Sequence, residues 1–288
     1  MSPAAQGVGS RDSLSARLGR KSVGVSFDTD TAVRKTDDGW TSELQPRWNI
    51  GNNPNGGYLL TVAARALVEE TGRPDPVTVT AHYLSPPATG EVSIATSIIK
   101  PGRTFVTAMA EMAQGGRERV RVVGAFGELD SRTGPTRISA RPPAIPPPDE
   151  CTSLQELTLR AGRPVPEVMN RFDLRLPPDS PWGRPGEGDP FEITGWIRFN
   201  DGTEPTVLSA LTFADAFPPT LLGAVANGWV PTIEFTVHVR SRPAPGWLLG
   251  TFKTRVLLDG LLEEDGELWD SAGKPVALSR QLAMVLKA

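Results

Sequence analysis

The sequence predicts an α+β fold in which one unit, a long helix followed by antiparallel strands, occurs twice. Three observations carry this. VTVTAHYLSPP (77–87) matches IEFTVHVRSRP (233–243) with Thr, His, Ser and the final Pro in place. Its histidines, His82 and His238, are the only two in the chain and stand 156 residues apart, an offset that Gly90 and Gly246 keep. A helical stretch precedes each block, YLLTVAARALVEETG after Gly57 and VLSALTFADAFPPTLLGAV from Val207. Such a repeat marks two copies of one supersecondary unit, and each copy has about 100 patterned residues, enough for a domain.

Residues 1–25 are rich in Ser, Gly, Ala and Arg without hydrophobic period, and read as a flexible leader. Arg17, Arg20 and Lys21 there are read as a solvated basic cluster. Two strand-like runs, 26–35 and 39–43, lead to the turn cluster Gly51-Asn52-Asn53-Pro54-Asn55-Gly56-Gly57. The helix that follows is stopped by Gly72 and Pro74. Asn55 is its expected N-cap. Gly56 and Gly57 would let a ligand oxygen approach the first-turn amides, where a helix favours negative charge. A tight helix entry packed on a strand explains the same residues equally well.

Strands are expected over 77–84, 90–100, 104–113 and 117–127, the last two joined at Gln114-Gly115-Gly116. The turn Gly116-Arg117 meets Gly273-Lys274 in the second copy with one residue added. Between the copies, ARPPAIPPPDE reads as a proline-rich connector and PPDSPWGRPGEGDP as a loop. Strands at 172–175 and 191–199 open the second copy. The expected organisation is a leader (1–25), an N-terminal unit (26–130), a linker (131–170) and a C-terminal unit (171–288).

Composition narrows the function. With 39% hydrophobic and 22% charged residues over 288 positions, the chain is that of an ordinary globular protein. A net charge of −3 gives no reason to expect nucleic acid. A single cysteine, Cys151, suits a reducing cytoplasm and forbids an internal disulfide. Two histidines make a multi-histidine zinc site or a Ser-His-Asp hydrolase hard to build. No stretch resembles a membrane span.

The helical stretch from Val207 carries one carboxylate. Leu208, Leu211, Thr212 and Asp215 share a helix face, so Asp215 is expected to be buried with it. Pro218 and Pro219 stand where the donors to the carbonyls of Ala214 and Asp215 would be, and proline has no N–H. The helix is therefore expected to open just after Asp215 and leave a polar notch.

GNNPNGGYLL, GWIRFNDG, FADAFPP, PTIEFTVHVR and SRQLAMV occur in the order expected of the acyl-CoA thioesterase II family, which the chain resembles over roughly 27–287. The resemblance implies a tandem (double) hotdog, with two antiparallel sheets each wrapped on a central helix. It also implies hydrolysis of an acyl thioester by water, with no metal or redox cofactor. The family's catalytic Asp, Thr and Gln fall on Asp215, Thr232 and Gln281. Asn55, Gly56 and Gly57 are the expected substrate-binding group, by analogy with hotdog helix N-termini. Under the repeat, Gln281 is matched by Gly124 and Asp215 by a position near Leu59, so one active site per chain is expected.

His82 and His238 repeat and are therefore read as structural. Glu234, two residues beyond Thr232 and so expected on the same strand face, is a reserve base. Cys151, beside Asp149 and Glu150, is not read as a nucleophile. Arg103, Arg117 and Arg119 are candidate phosphate contacts. The expected partner is acyl-CoA or a related acyl thioester, and association of copies is left open. The competing reading is a non-catalytic acyl-binding or assembly protein of the same fold. A hotdog dehydratase is disfavoured because no histidine lies on the Asp215 helix.

Overall fold

The computed structural model describes residues 26–180, 191–223 and 230–286. The expected leader (1–25), most of the loop before Phe191 and the end of the Asp215 stretch lie outside the described residues.

The first described element is a helix where the sequence predicts strand. Ser26 caps α1 (Phe27–Asp30) by accepting from the Thr29 amide, and Asp28 and Asp30 fall in its first turn. Carboxylates there favour a helix over a strand. β1 (Arg34–Thr36) and β2 (Gly39–Leu44) form a hairpin, followed by the small hairpin β3 (Asn49–Ile50) and β4 (Asn53–Pro54). α2 (Gly56–Thr71) starts and stops on the expected residues. Asn55 Oδ1 accepts from the Tyr58 amide at 2.9 Å, and Gly72 takes the left-handed C-cap at φ 61°.

Four strands follow α2: β5 (Asp75–Tyr83), β6 (Gly90–Pro101), β7 (Val106–Gln114) and β8 (Arg117–Gly127). Part of the stretch expected as linker is ordered, as β9 (Thr152–Ser153) and α3 (Leu154–Arg160). Its Leu154 is buried in the core. Then come β10 (Phe172–Leu176), β11 (Glu192–Phe199) and α4 (Val207–Phe213). The chain closes with β12 (Thr232–Val239), β13 (Leu248–Lys253), β14 (Leu257–Leu258), β15 (Leu261–Trp269) and β16 (Pro275–Met284).

Where the sequence predicts two antiparallel sheets, hydrogen bonding runs through one sheet of 14 strands. Its order is β1-β2-β6-β7-β8-β5-β12-β16-β15-β13-β11-β10-β9, with β14 on β15. β5 and β12 make the join, and the order of the long strands is mirrored about it. In that central pair Glu234 faces His82, His238 faces Thr78, and Thr80 faces Thr236 with hydroxyl oxygens 2.8 Å apart. Thr80 and Thr236 are counterparts under the 156-residue offset, so a local two-fold axis passes between them. His82 and His238 are then equivalent positions, and both are exposed.

α2 packs on α4 and on β5 to β8. Trp48 stacks on Tyr58 with ring centroids 5.0 Å apart, and Phe199 lies 4.5 Å from Phe213, so one aromatic core spans both halves. α4 is shorter than expected, since the break falls before Asp215 and not just after it. It ends at Phe213, and the next amides bond one residue short: Asp215 N to the Thr212 carbonyl and Ala216 N to that of Phe213. With no donor available at 218 or 219, the α-helical ladder gives way before the carboxylate rather than after it.

Candidate active site

The Asp215 backbone carbonyl, deprived of its helical donor, accepts instead from Asn55 Nδ2 at 2.9 Å. The same amide nitrogen reaches Asp215 Oδ2 at 2.9 Å, and the Gly57 N–H donates to Oδ2 at 2.7 Å. The N-terminus of α2 thus cradles a carboxylate from the other half of the chain. The approach is close: a Cβ on Gly57 would lie 2.7 Å from Asp215 Cβ, and one on Gly56 would lie 3.1 Å from Oδ2. The glycines expected to admit a ligand oxygen admit Asp215 instead, and the Gly57 amide is committed to it.

Thr232 and Gln281 meet across the β12–β16 ladder. The Thr232 hydroxyl donates to Gln281 Oε1 at 2.7 Å, and Gln281 Nε2 donates to Glu264 Oε1 at 2.7 Å. A register shift between Thr232 and Glu234 makes this possible. Thr232 faces Ala283 and Glu234 faces Leu282, consecutive positions on β16, so the two residues point to opposite sides of the sheet. Thr232 turns inward with Gln281. Glu234, expected on the same face, turns outward and accepts a short hydrogen bond from the Thr236 hydroxyl at 2.5 Å. It does not line the cavity among the described residues, which removes it as a reserve base.

Asp215, Thr232, Gln281, Asn55 and Gly56 all line one cavity of about 370 Å³, whose remaining wall is mostly apolar. Asp215 is half-buried and lines that space. Burial raises its carboxyl to about 7, and the charge of Glu264 adds to the rise, against the pull of the Gly57, Asn55 and Gly56 hydrogen bonds. Tyr83, whose hydroxyl donates to the Gly56 carbonyl at 2.8 Å, is held well above the usual phenol range by burial and by Asp215 and Glu234. Cys151 is buried, with Sγ on the Pro146 carbonyl and its thiol pushed up by burial. Among the described residues, no group of three or more His, Cys, Asp or Glu side chains is arranged to hold a metal. No described helix is long and apolar enough to cross a membrane.

Sequence reasoning missed two features. Asn55 acts by its side-chain donors on Asp215, beyond capping α2. Glu264, buried behind Gln281, was not singled out. The repeat held a signal for it: Glu264 faces Gln281 in the second half, where Ala108 faces Gly124 in the first.

A carboxylate, a hydroxyl and an amide thus share one largely apolar cavity between helix and sheet. Comparison with known proteins gives the family. Residues 44–127 match the model of the acyl-CoA thioesterase N-terminal domain and residues 148–285 that of its C-terminal domain. An uncharacterised protein of Mycobacterium tuberculosis is 30% identical over 289 residues, covering 90% of this chain and 98% of that protein. A Thermobifida fusca structure with a provisional thioesterase II name is 31% identical with TM-score 0.81, over 91% of this chain and 97% of that one. A hotdog protein of unknown function from Alicyclobacillus acidocaldarius superposes with TM-score 0.80 at 20% identity, over 91% and 98% of the two chains. The chain belongs to the acyl-CoA thioesterase family and has the hotdog fold.

Proposed function

We propose that the protein is a double-hotdog thioesterase, its units near 26–130 and 171–288, that hydrolyses acyl-CoA or a related acyl thioester with a water activated by Asp215. The observation that carries the reading is the Asp215 carboxyl, raised to about 7 on the same cavity wall as the bonded pair Thr232–Gln281. A general base works best with a pKa near the operating pH and contributes roughly 10²–10⁴-fold. Water attacks the thioester carbonyl as its proton passes to Asp215. The tetrahedral intermediate then collapses, the C–S bond breaks, and the proton leaves with the thiolate sulfur. Because Thr232 donates its proton to Gln281, its oxygen is an acceptor for the second proton of the water. With Gly57 committed to Asp215, the oxyanion needs another donor. Ser85 on the cavity wall accepts from Arg119 Nη1 at 3.1 Å and so has its own proton to give.

The test is purified protein with acyl-CoAs of several chain lengths and with acyl-carrier-protein thioesters, followed by release of free thiol. Turnover lowered by about 10²-fold or more in Asp215→Asn supports the reading. Saturable binding of the thioesters without thiol release would make this an acyl-binding protein of the same fold.

A further inference from the structure

We infer that Glu264 is a positioning residue for hydrolysis, acting through Gln281 to set the direction of the Thr232 hydroxyl. The inference rests on the thioesterase reading and deepens it. Glu264 is 5% exposed and anchored from both sides: the Thr220 amide donates to Oε2 at 2.9 Å and Gln281 Nε2 to Oε1 at 2.7 Å. Burial raises the Glu264 carboxyl while the Thr220 and Gln281 hydrogen bonds draw it back down; in its ionised form it only accepts, and so fixes which end of the Gln281 amide faces it. The amide oxygen must then face Thr232, whose hydroxyl must donate to it at 2.7 Å. The chain of donors runs one way, from Thr232 through Gln281 to Glu264, and leaves the Thr232 oxygen as an acceptor toward the cavity.

The other half supports the assignment. Its matching pair, Ala108 and Gly124, is apolar, and Pro76 stands where Thr232 does in the second half. A carboxylate needed only to hold the sheet together would have no reason to occur in one copy. The buried charge thus accompanies the polar set, though burial of an ionised group is costly without partners.

Glu264→Gln reverses the logic. Its new NH2 group lets Gln281 flip, which turns Thr232 from donor into acceptor on Gln281. The expected result is a kcat lower by roughly tenfold, the worth of one charge-assisted hydrogen bond, with KM unchanged. In a Thr232→Val background the same substitution should add almost nothing, because the hydroxyl it acts on is gone. The paired swap Glu264→Gln with Gln281→Glu reverses the bond between 264 and 281, the new amide donating to the new carboxylate, but keeps the Thr232 hydroxyl as a donor and should recover part of the lost rate. It also covers the case in which Glu264→Gln alone fails to fold. A second readout is independent of turnover: the Gln281 side-chain NH2 protons, followed by nuclear magnetic resonance, should be protected from exchange in the native protein and lose protection in Glu264→Gln. Unchanged kcat in folded Glu264→Gln, an undiminished loss in the Thr232→Val background, or an unprotected Gln281 amide in the native protein would each overturn the assignment. A native protein inert toward every thioester would sink the hydrolase reading, and the amide protection would then decide the role of Glu264.

Discussion

Asp215 is held in a compromise between burial, which favours its neutral form, and the α2 N-terminus, which favours its anion. If it is the base, kcat/KM should climb with unit slope below pH 7 and level off above, following the carboxyl at about 7. Asp215→Asn should lower hydrolysis by about 10²-fold or more with little change in binding. The same shift governs stability. A carboxyl raised in the folded state binds its proton more tightly there than in the unfolded chain, so its stabilising share is complete at low pH and lost as pH rises from about 4 to 7. Asp215→Asn should therefore raise the melting temperature relative to wild type more at pH 8 than at pH 4. Equal shifts at both pH values would contradict the raised carboxyl. Asp215 was legible in the sequence because an acid on an apolar helix face is conspicuous. Glu264 was not, because its strand reads LLEEDGE and acidic neighbours disguise the one that turns inward.

At the scale of elements, the decisive joint is the start of α2 against the end of α4. Asn55 serves both: its oxygen caps α2 while its nitrogen supports Asp215. Asn55→Asp separates the two roles. The cap survives, since Asp is as good an N-cap as Asn, but a donor becomes a like charge beside Asp215. The acid limb of the pH–rate profile should move to higher pH with the melting temperature little changed at pH 5, and an unmoved limb would show that Asn55 only caps. Gly57→Ala has no such partial outcome, since its Cβ would lie 2.7 Å from Asp215 Cβ and 3.0 Å from the Leu211 carbonyl. It should cost about 1–3 kcal/mol of stability in denaturant unfolding, the usual range for overpacking. The sequence showed that prolines must break this helix but not where. A lost donor at 218 or 219 leaves open whether the ladder fails before or after the carboxylate. The inward turn of Thr232 was equally hidden, because a register shift leaves the period-two pattern of the strand intact until its partner is known.

Across the whole molecule, the repeat was the most legible feature, and the mirrored strand order and the Thr80–Thr236 contact follow the offset read from two histidines. The continuity of the sheet was not legible, since edge-to-edge pairing leaves no local mark. The join is reinforced at one end by Arg242, which reaches the fully buried Asp75 at 2.6 Å and Asp130 at 2.8 Å in the first half. Arg242→Ala removes this counter-charge from Asp75, which keeps the Leu129 amide, and should cost about 1–3 kcal/mol, at the lower end because the arginine is itself half exposed. Urea unfolding should remain a single transition, as expected of one shared sheet and core. Two separated transitions would count against the seam.

The cradle and the carboxylate come from different halves, which has a consequence for how such a site can arise. In a symmetric pair of identical chains every substitution appears twice, so each copy must keep both the cradle and the acid. Fusion lifts that constraint. Across the α2–α4 contact the two halves correspond at an offset of 151, with Thr61 on Thr212 and their hydroxyls on the Leu208 and Gly57 carbonyls, so Ala64, Thr206 and Leu208, not residues near Leu59, stand where Asp215, Asn55 and Gly57 do in the working site. Two C-terminal halves associating through β12 would therefore carry Asp215, Thr232 and Gln281 in duplicate, yet present Thr206 and Leu208 in place of the asparagine and glycine. Such a pair should be inert. Separate N- and C-terminal halves, cut within the prolines 142–147 and expressed together, should restore one working centre per heterodimer. Fusion trades two equivalent sites for two halves free to diverge into holder and held.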